Sequence, residues 1–353
     1  MYNTTRMTTF ILILGLLAIF YVLAEICDRY FVNSLEIITE RLKISPDVAG
    51  ATFMAIGSSA PEFFTAVIAL NKVGAESIGA GTIVGSAIFN ILVIVGASAA
   101  VSTAFLAWKP VLRDIGFYVA ALLVLLFTFS DGVITITETF WYLGLYAMYL
   151  IVLKHWKHWV PAEPRLAPET PKIITQPKKP RFLRFFDQVV SLFFPCLKNK
   201  PHLFWVTFLL SVLWIALLSW AMVELAIILA ETWHISQAII ALTVLAAGTS
   251  IPDLLSSIFA SRRGDGDMAI SNAVGSNTFD ILIGLGLPWC LFIWFKGSPV
   301  VVGTESLMSS MVLLFATVIM LFALIVAQKY KLKQKTGWFL IILYFGYLAY
   351  SLW

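Results

Sequence analysis

The sequence predicts an all-α polytopic membrane protein of ten transmembrane helices, arranged as two five-helix repeats of inverted topology. Three observations lead there. Of 353 residues, 60% are hydrophobic and 12% charged, with a mean hydropathy of +0.89, whereas an ordinary soluble domain carries about 25% charged residues. Ten apolar segments of 16–29 residues fit the about 20 residues that a helix needs to cross the hydrocarbon core. Two pairs of motifs recur at offsets of 190 and 191 residues.

The first span, 9–31, is an apolar run that ends in "CDRYFVNSLE". It is long enough to span and lacks a small-residue cleavage site, so no cleavable signal peptide is expected. Asp28 falls at a membrane face with Arg29, while Glu25 is left open between gating, proton transfer and structural pairing. The second span, 46–71, contains "AIGSSAPEFF", and the third, 75–103, contains "GTIVGSAIFNILVIVG". Spans four and five, 111–130 and 135–153, are plain apolar runs, with Asp131 and Glu138 as outer-loop charges. Residues 154–201 follow, rich in proline and base. Within them "FLRFFDQVVSLFF" reads either as an amphipathic helix on the membrane or as part of an unstructured tether. Spans six to ten are placed at 202–230, 235–261, 267–295, 300–327 and 337–352. Glu224 in span six is open in the same way as Glu25, and Glu305 reads as an outer-loop charge. The domain division is therefore 1–153, 154–201 and 202–353.

Positive charge orients the bundle, because loops on the cytoplasmic side carry the excess of Lys and Arg. With residues 154–201 inside, only Arg6, Lys72 and Lys296 of the 24 Lys and Arg face out. The expected protein is integral to the cell membrane, with its central loop cytoplasmic and both termini outside. Three scattered cysteines and four histidines form no CxxC or Cys/His cluster, so neither a disulfide framework nor a zinc site is indicated. No enzymatic cofactor, nucleic-acid platform or obligatory partner chain is indicated; a monomer suffices and a dimer is allowed.

The repeat carries the functional reading. "ATFMAIGSSAPEFFTAVIA" (51–69) aligns with "ALTVLAAGTSIPDLLSSIFA" (241–260), and "GTIVGSAIFNILVIVG" (81–96) with "SNAVGSNTFDILIGLG" (271–286). Glu62 matches Asp253 and Asn90 matches Asp280. Equivalent spans lie five apart, an odd number, so the copies cross in opposite directions. Proline- and glycine-interrupted spans at matching positions of inverted repeats point to the midplane site of a secondary transporter.

The chemistry of the motifs agrees. Pro61 has no N–H to offer Gly57's carbonyl, and Pro252 none for Gly248's. A freed carbonyl in lipid costs several kcal/mol unless something satisfies it, and a cation is one such thing. Ser58 and Glu62, Thr249 and Asp253, Ser86 and Asn90, and Ser276 and Asp280 are each four apart, so each pair shares a helix face. Ser59 and Ser250 add hydroxyls beside the breaks. All are hard oxygen donors, which suit Ca²⁺, Na⁺ and K⁺ and not zinc or copper. An acid inside the membrane costs roughly 2.5–3.5 kcal/mol or more, and marks function. One Ca²⁺ and one K⁺ would neutralise Glu62, Asp253 and Asp280. Gly81, Gly96, Gly284 and Gly286 are better read as close-packing positions.

GSSAPE with GTSIPD, followed by GSAIFN with GSNTFD, resemble the two α-repeats of the cation/calcium exchanger superfamily, and most of all its potassium-dependent sodium/calcium exchangers. The resemblance covers spans one to three and six to eight well; the others match in length and hydropathy. It implies alternating access about a central site. Glu62 and Asp253 would take Ca²⁺ and Na⁺ in turn, completed by Ser58, Ser59, Thr249, Ser250, Ala55, Ala246, Gly57 and Gly248. Ser86, Ser276, Asn90 and Asp280 would bind further Na⁺, and Asp280 with Asn90 would take K⁺. Potassium-independent animal members carry an amide at the position of Asp280, while some prokaryotic members keep an aspartate. A K⁺-independent Na⁺/Ca²⁺ or an H⁺/Ca²⁺ exchanger of the same fold is therefore the alternative. The central loop, about 48 residues, lacks an acidic calcium-sensor domain, and no long extracellular leader is expected; both imply a minimal, prokaryotic-type member. A passive channel and an intramembrane protease with a Glu62–Asp253 dyad are the rival classes. Quasi-symmetric repeats argue against the first, and hydroxyl neighbours against the second.

Overall fold

The computed structural model describes residues 2–41, 58–72, 74–160, 181–195, 203–262, 266–303 and 305–352. Ala55, Gly57 and the start of the second span lie outside the described residues, as do most of the central loop and the side chains of Asp28 and Pro252.

The chain is helical almost throughout. Helix α1 (Tyr2–Ile26) passes through a wide π-helical turn (Cys27–Val32) into α2 (Asn33–Arg41), and α3 covers Ala60–Leu70. Next, α4 (Glu76–Phe89) widens into a π-helical turn (Asn90–Ile94) and continues as α5 (Val95–Val101). Helices α6 (Trp108–Thr128) and α7 (Ile136–Trp159) follow, then the short α8 (Arg181–Ser191) and α9 (Phe204–Trp233). The second motif forms α10 (Gln237–Ile240), a π-helical turn (Ala241–Leu245), α11 (Ala246–Thr249) and α12 (Ile251–Arg262). Then α13 (Gly266–Phe279) widens at Asp280–Leu285 into α14 (Gly286–Lys296), followed by α15 (Glu305–Ala327) and α16 (Gln334–Leu352).

Among the described residues, seven helical stretches are long and apolar enough to cross a membrane: Met7–Leu35, Ser77–Val101, Trp108–Thr128, Ile136–Trp156, Phe204–Trp233, Ile270–Lys296 and Leu307–Ala327. Ala60–Leu70 and Gln237–Thr249 are shorter apolar helices. Phe10, Leu14, Leu17, Leu209, Leu213 and Leu217 are exposed along α1 and α9. So long an apolar outer face belongs against lipid rather than water, which makes this an integral membrane protein.

Two small antiparallel ribbons tie the loops. β1 (Ala104–Phe105) pairs with β4 (Lys331–Leu332), and β2 (Val133–Ile134) pairs with β3 (Val300–Val301). Helix α6 runs from the first ribbon to the second, and α15 runs from the second back to the first. The two helices are therefore antiparallel, with one ribbon at each end of the bundle.

The largest apolar core joins α4–α7 with α13–α16, and a second joins α1, α3, α9 and the turn before α11. A third links α1, α2 and α9 to Val190 and Phe194, beside α8. There Tyr21 donates to Asp187 at 2.5 Å and Tyr30 stacks on Phe194 at 4.0 Å, so part of the central loop is a helix docked on α1. Glu138 completes a capping box at the start of α7, accepting from the Thr135 N–H at 2.7 Å. Glu25 pairs with Arg29 at 3.2 Å, and Glu224 pairs with Lys72. Each of the two acids thus has a cationic partner.

Glycines set the closest helix contacts. A Cβ at Gly81 would lie 2.9 Å from Ala241 Cβ, one at Gly286 2.6 Å from Tyr142 Cβ, and one at Gly96 3.0 Å from the Gly337 carbonyl. Gly85 is the tightest of this row: its Cβ would sit 2.3 Å from the Leu242 carbonyl and 2.7 Å from Ala246 Cβ. Forcing a methyl into a packed contact costs about 1–3 kcal/mol. Gly85→Ala should therefore lower the melting temperature of the detergent-solubilised protein measurably, and an unchanged value would show that α4 and α11 do not touch there.

Candidate functional site

The two motif copies break their helices in the same way. Ser59 (φ −96°, ψ 8°) precedes α3 and Ser250 (φ −87°, ψ 2°) precedes α12. Their carbonyls accept from Phe63 and Leu254, each at 3.0 Å. Pro61 lies in the first turn of the new helix, where a missing N–H removes no bond. Each break places an acid, Glu62 or Asp253, in the first turn of the helix that follows. Backbone N–H groups there favour negative charge.

The other half of each copy supplies a second kind of irregularity. Asn90 and Asp280, matched in sequence, each open a π-helical turn. Such turns inside α-helices are frequent at functional sites. After Asn90 the wide turn is closed by the Val95 N–H, which reaches back five residues to the Asn90 carbonyl.

The site is built by contacts between copies. Ser86 and Ser250 share a hydrogen bond of 2.7 Å between their hydroxyls. Glu62 sits beside the hydroxyls of Thr249 and Ser86, and Asp280 beside that of Ser59. The Asn90 amide nitrogen donates to Ser276 Oγ at 3.4 Å and to Asn277 Oδ1 at 2.7 Å. Asp280 lies within electrostatic reach of both Glu62 and Asp253. Phe20 of α1 closes over Gly248, where any Cβ would meet its ring. Ser59, Glu62, Ser86, Asn90, Thr249, Ser250, Asp253, Ser276 and Asp280 are all buried, whereas Ser58 is only half-buried. Gly248 and Ala246 are buried at the second break; their counterparts Gly57 and Ala55 lie outside the described residues.

Four of these buried groups keep an oxygen without a hydrogen-bond partner: Ser59 Oγ, Glu62 Oε2, Asn90 Oδ1 and Asp280 Oδ1. Leaving a buried polar atom unmet costs about 1–3 kcal/mol, more where it is charged. These unmet oxygens belong to carboxyl, hydroxyl and carboxamide groups, hard donors of the kind that suit a cation. Among the described residues no group of three or more His, Cys, Asp or Glu is close enough to hold a metal by itself. The donor set is instead mixed, with carboxyls, hydroxyls and a carboxamide, as suits ions that take many oxygens.

Two residues of the network were not among those singled out from sequence. Asn277 matches Ala87 in the other copy, so a search for repeated polar positions passes it over; its departure from the repeat is the signal. Tyr118 on α6 accepts from Asn277 at 3.2 Å and carries no sequence signal, being one aromatic in an apolar helix.

Comparison with known proteins gives the family and the fold. The family model described as sodium/calcium exchanger protein matches residues 12–154 and 203–353. "Sodium/potassium/calcium exchanger 1" of Gallus gallus is 30% identical, over 96% of this chain and 78% of its own length. "Sodium/potassium/calcium exchanger 2" of Homo sapiens is 29% identical, over 96% and 77%. Among solved structures, the sodium-calcium exchanger NCX_Mj soaked with Na⁺ and Sr²⁺ superposes with a TM-score of 0.59 at 25% identity, covering 96% of this chain and 98% of the other. The H⁺/Ca²⁺ exchanger CAX shares the fold, with a TM-score of 0.68 at 14% identity over 98% of this chain and 82% of that one.

Proposed function

The chain belongs to the sodium/calcium exchanger protein family, and from that membership we propose that it is a secondary active antiporter, not an enzyme, that exchanges Na⁺ for Ca²⁺ with K⁺ travelling alongside Ca²⁺. The observation that carries this reading is the buried cluster between copies, in which Ser59, Glu62, Asn90 and Asp280 each keep an oxygen without a donor. Glu62 and Asp253, with Ser58, Ser59, Thr249, Ser250 and the backbone at Ala55, Gly57, Ala246 and Gly248, take Ca²⁺ or Na⁺ in turn. Ser86, Ser276, Asn90 and Asp280 serve further Na⁺, and Asp280 with Asn90 serves K⁺. The relatives named as sodium/potassium/calcium exchangers support the ion set.

The proposed architecture is ten spans in two inverted repeats, 1–153 and 202–353, joined by 154–201. The antiparallel course of α6 and α15 between the two ribbons supports inversion, and the matched dihedrals at Ser59 and Ser250 support repetition. Charge places the central loop in the cytoplasm and both termini outside. A monomer suffices for transport in this reading, and a dimer is allowed.

A second reading, exchange without K⁺, draws on the sodium-calcium exchanger NCX_Mj, whose fold this chain shares. One experiment addresses both. The protein is reconstituted in Na⁺-loaded liposomes, and radiolabelled Ca²⁺ uptake is followed with and without external K⁺. Uptake should require both the Na⁺ gradient and K⁺. Uptake that ignores the gradient overturns exchange, and uptake that ignores only K⁺ selects the second reading.

A further inference from the structure

We infer that Asn277 is a positioning residue: it turns the Asn90 carboxamide so that its oxygen, and not its nitrogen, faces the transported cation. The inference rests on the exchange reading above. It begins from an atom whose role allows no choice. The Ala87 backbone carbonyl can only accept, so the Asn277 atom 3.3 Å away must be the amide nitrogen Nδ2. That fixes which way the Asn277 amide is turned. The same nitrogen donates to the Tyr118 hydroxyl at 3.2 Å. The Asn277 oxygen therefore points the other way, where it meets Asn90 at 2.7 Å. An oxygen there requires a donor, so Asn90 must offer its own Nδ2.

Ser276 reinforces the choice. Its hydroxyl proton is spent on the Ala273 carbonyl at 3.2 Å, leaving its oxygen to accept from Asn90 at 3.4 Å. Both donors of the Asn90 amide are thus committed. Its remaining atom, Oδ1, is buried and has no partner. A carboxamide turned this way offers a cation an acceptor; flipped, it would present two N–H groups and repel it.

The repeat explains why only one copy needs such a device. Asp280, the counterpart of Asn90, is a carboxyl. An ionised carboxyl accepts through both oxygens and has no wrong way round. The counterpart of Asn277 is Ala87, which has no side chain to orient anything. The amide in one copy and its orienting amide in the other depart from the repeat together. Asn277 itself does not touch the cation; it acts through Asn90.

A double-mutant cycle in proteoliposomes tests this, reading the half-saturating Ca²⁺ and Na⁺ concentrations separately from the maximal rate. Asn277→Ala and Asn90→Ala should each raise half-saturation about tenfold, and the double variant should resemble Asn90→Ala alone, because residues acting through one contact are not additive. Tyr118→Phe should stay within about twofold, since the Ala87 carbonyl still fixes the Asn277 amide. Asn277→Gln keeps a carboxamide, with a donor for the Ala87 carbonyl and an acceptor for Asn90, and should raise half-saturation less than Asn277→Ala does. Costs of Asn277→Ala and Asn90→Ala that multiply would overturn the inference. Where Asn277→Ala does not assemble, Asn277→Gln decides: half-saturation raised as far as by Asn90→Ala overturns it, and a value clearly below that of Asn90→Ala supports it. The unmodified protein separates the two failures, since absence of any Na⁺-driven uptake there sinks the exchange reading itself.

Discussion

Replacing Glu62 with Gln should abolish Na⁺-driven Ca²⁺ uptake, with residual flux at least about a hundredfold below the unmodified protein. Glu62 is 2% exposed, sits next to Thr249 and Ser86, and keeps Oε2 without a donor. Gln keeps the shape and one acceptor but removes the charge and turns two N–H groups toward the same space. Removing one charged member of a buried ionic set costs about 3–5 kcal/mol, and each 1.4 kcal/mol is about tenfold in affinity. Asp253→Asn should fall in the same range, because Asp253 stands at the matching break and is also buried, at 8% exposure. A further arm separates charge from length. The reciprocal exchange Glu62→Asp with Asp253→Glu conserves charge and total reach across the site, so it should retain more uptake than either single change. Uptake near normal in Glu62→Gln would remove Glu62 from the site. Folding is checked independently by a monodisperse profile in detergent.

How far the sequence reaches can be judged residue by residue. The all-helical, membrane-spanning character of the chain was legible, because lipid imposes length and hydropathy on each segment separately. The matched breaks were legible too: proline, hydroxyls and an acid in fixed order mark Ser59–Glu62 and Ser250–Asp253, and the structure places both serines at the same backbone angles. Close packing at Gly81, Gly96, Gly284 and Gly286 followed from glycine in an apolar helix. Partners were not legible. That Ser86 meets Ser250, and Asn90 meets Asn277, depends on how two copies face each other in space. Glu25 and Glu224 could not be assigned from hydropathy, because an acid four residues before Arg29 and an acid meeting Lys72 from another helix look alike to a scan of apolar runs. The docking of α8 on Tyr21, and of Phe194 just after it on Tyr30, rests on surface complementarity, which an amphipathic pattern announces without naming its partner.

The departures from the repeat are as informative as the repeat. A site with perfect two-fold symmetry would present the same groups from both sides, and two different ions could not be told apart by charge. Here the breaks are nearly equivalent, with one acid each. The π-helical turns are not, because one begins with neutral Asn90 and the other with Asp280. Charge asymmetry is thus confined to one pair of positions, and the orienting contact of Asn277 falls on that same pair.

Asp280→Asn should therefore abolish the K⁺ dependence of Ca²⁺ uptake while leaving Na⁺-driven exchange in place. Three acids are buried in this cluster, and Asp280 senses both Glu62 and Asp253. Ca²⁺ alone matches two negative charges, so a third leaves the loaded site with an uncompensated buried charge, a state that costs several kcal/mol. A monovalent cation next to Asp280 removes that charge; Na⁺ is held inside the liposomes in the uptake assay, and K⁺ is the monovalent cation offered outside. Asn at 280 restores the balance with Ca²⁺ alone and copies the carboxamide of Asn90 across the site. The ratio of uptake with external K⁺ to uptake without it should fall from at least about tenfold, the equivalent of 1.4 kcal/mol, to near one. The Na⁺ gradient should still be required, since Glu62 and Asp253 remain. A ratio that stays high in Asp280→Asn would move K⁺ recognition away from this residue, whereas loss of all uptake would make Asp280 a ligand that Ca²⁺ itself requires.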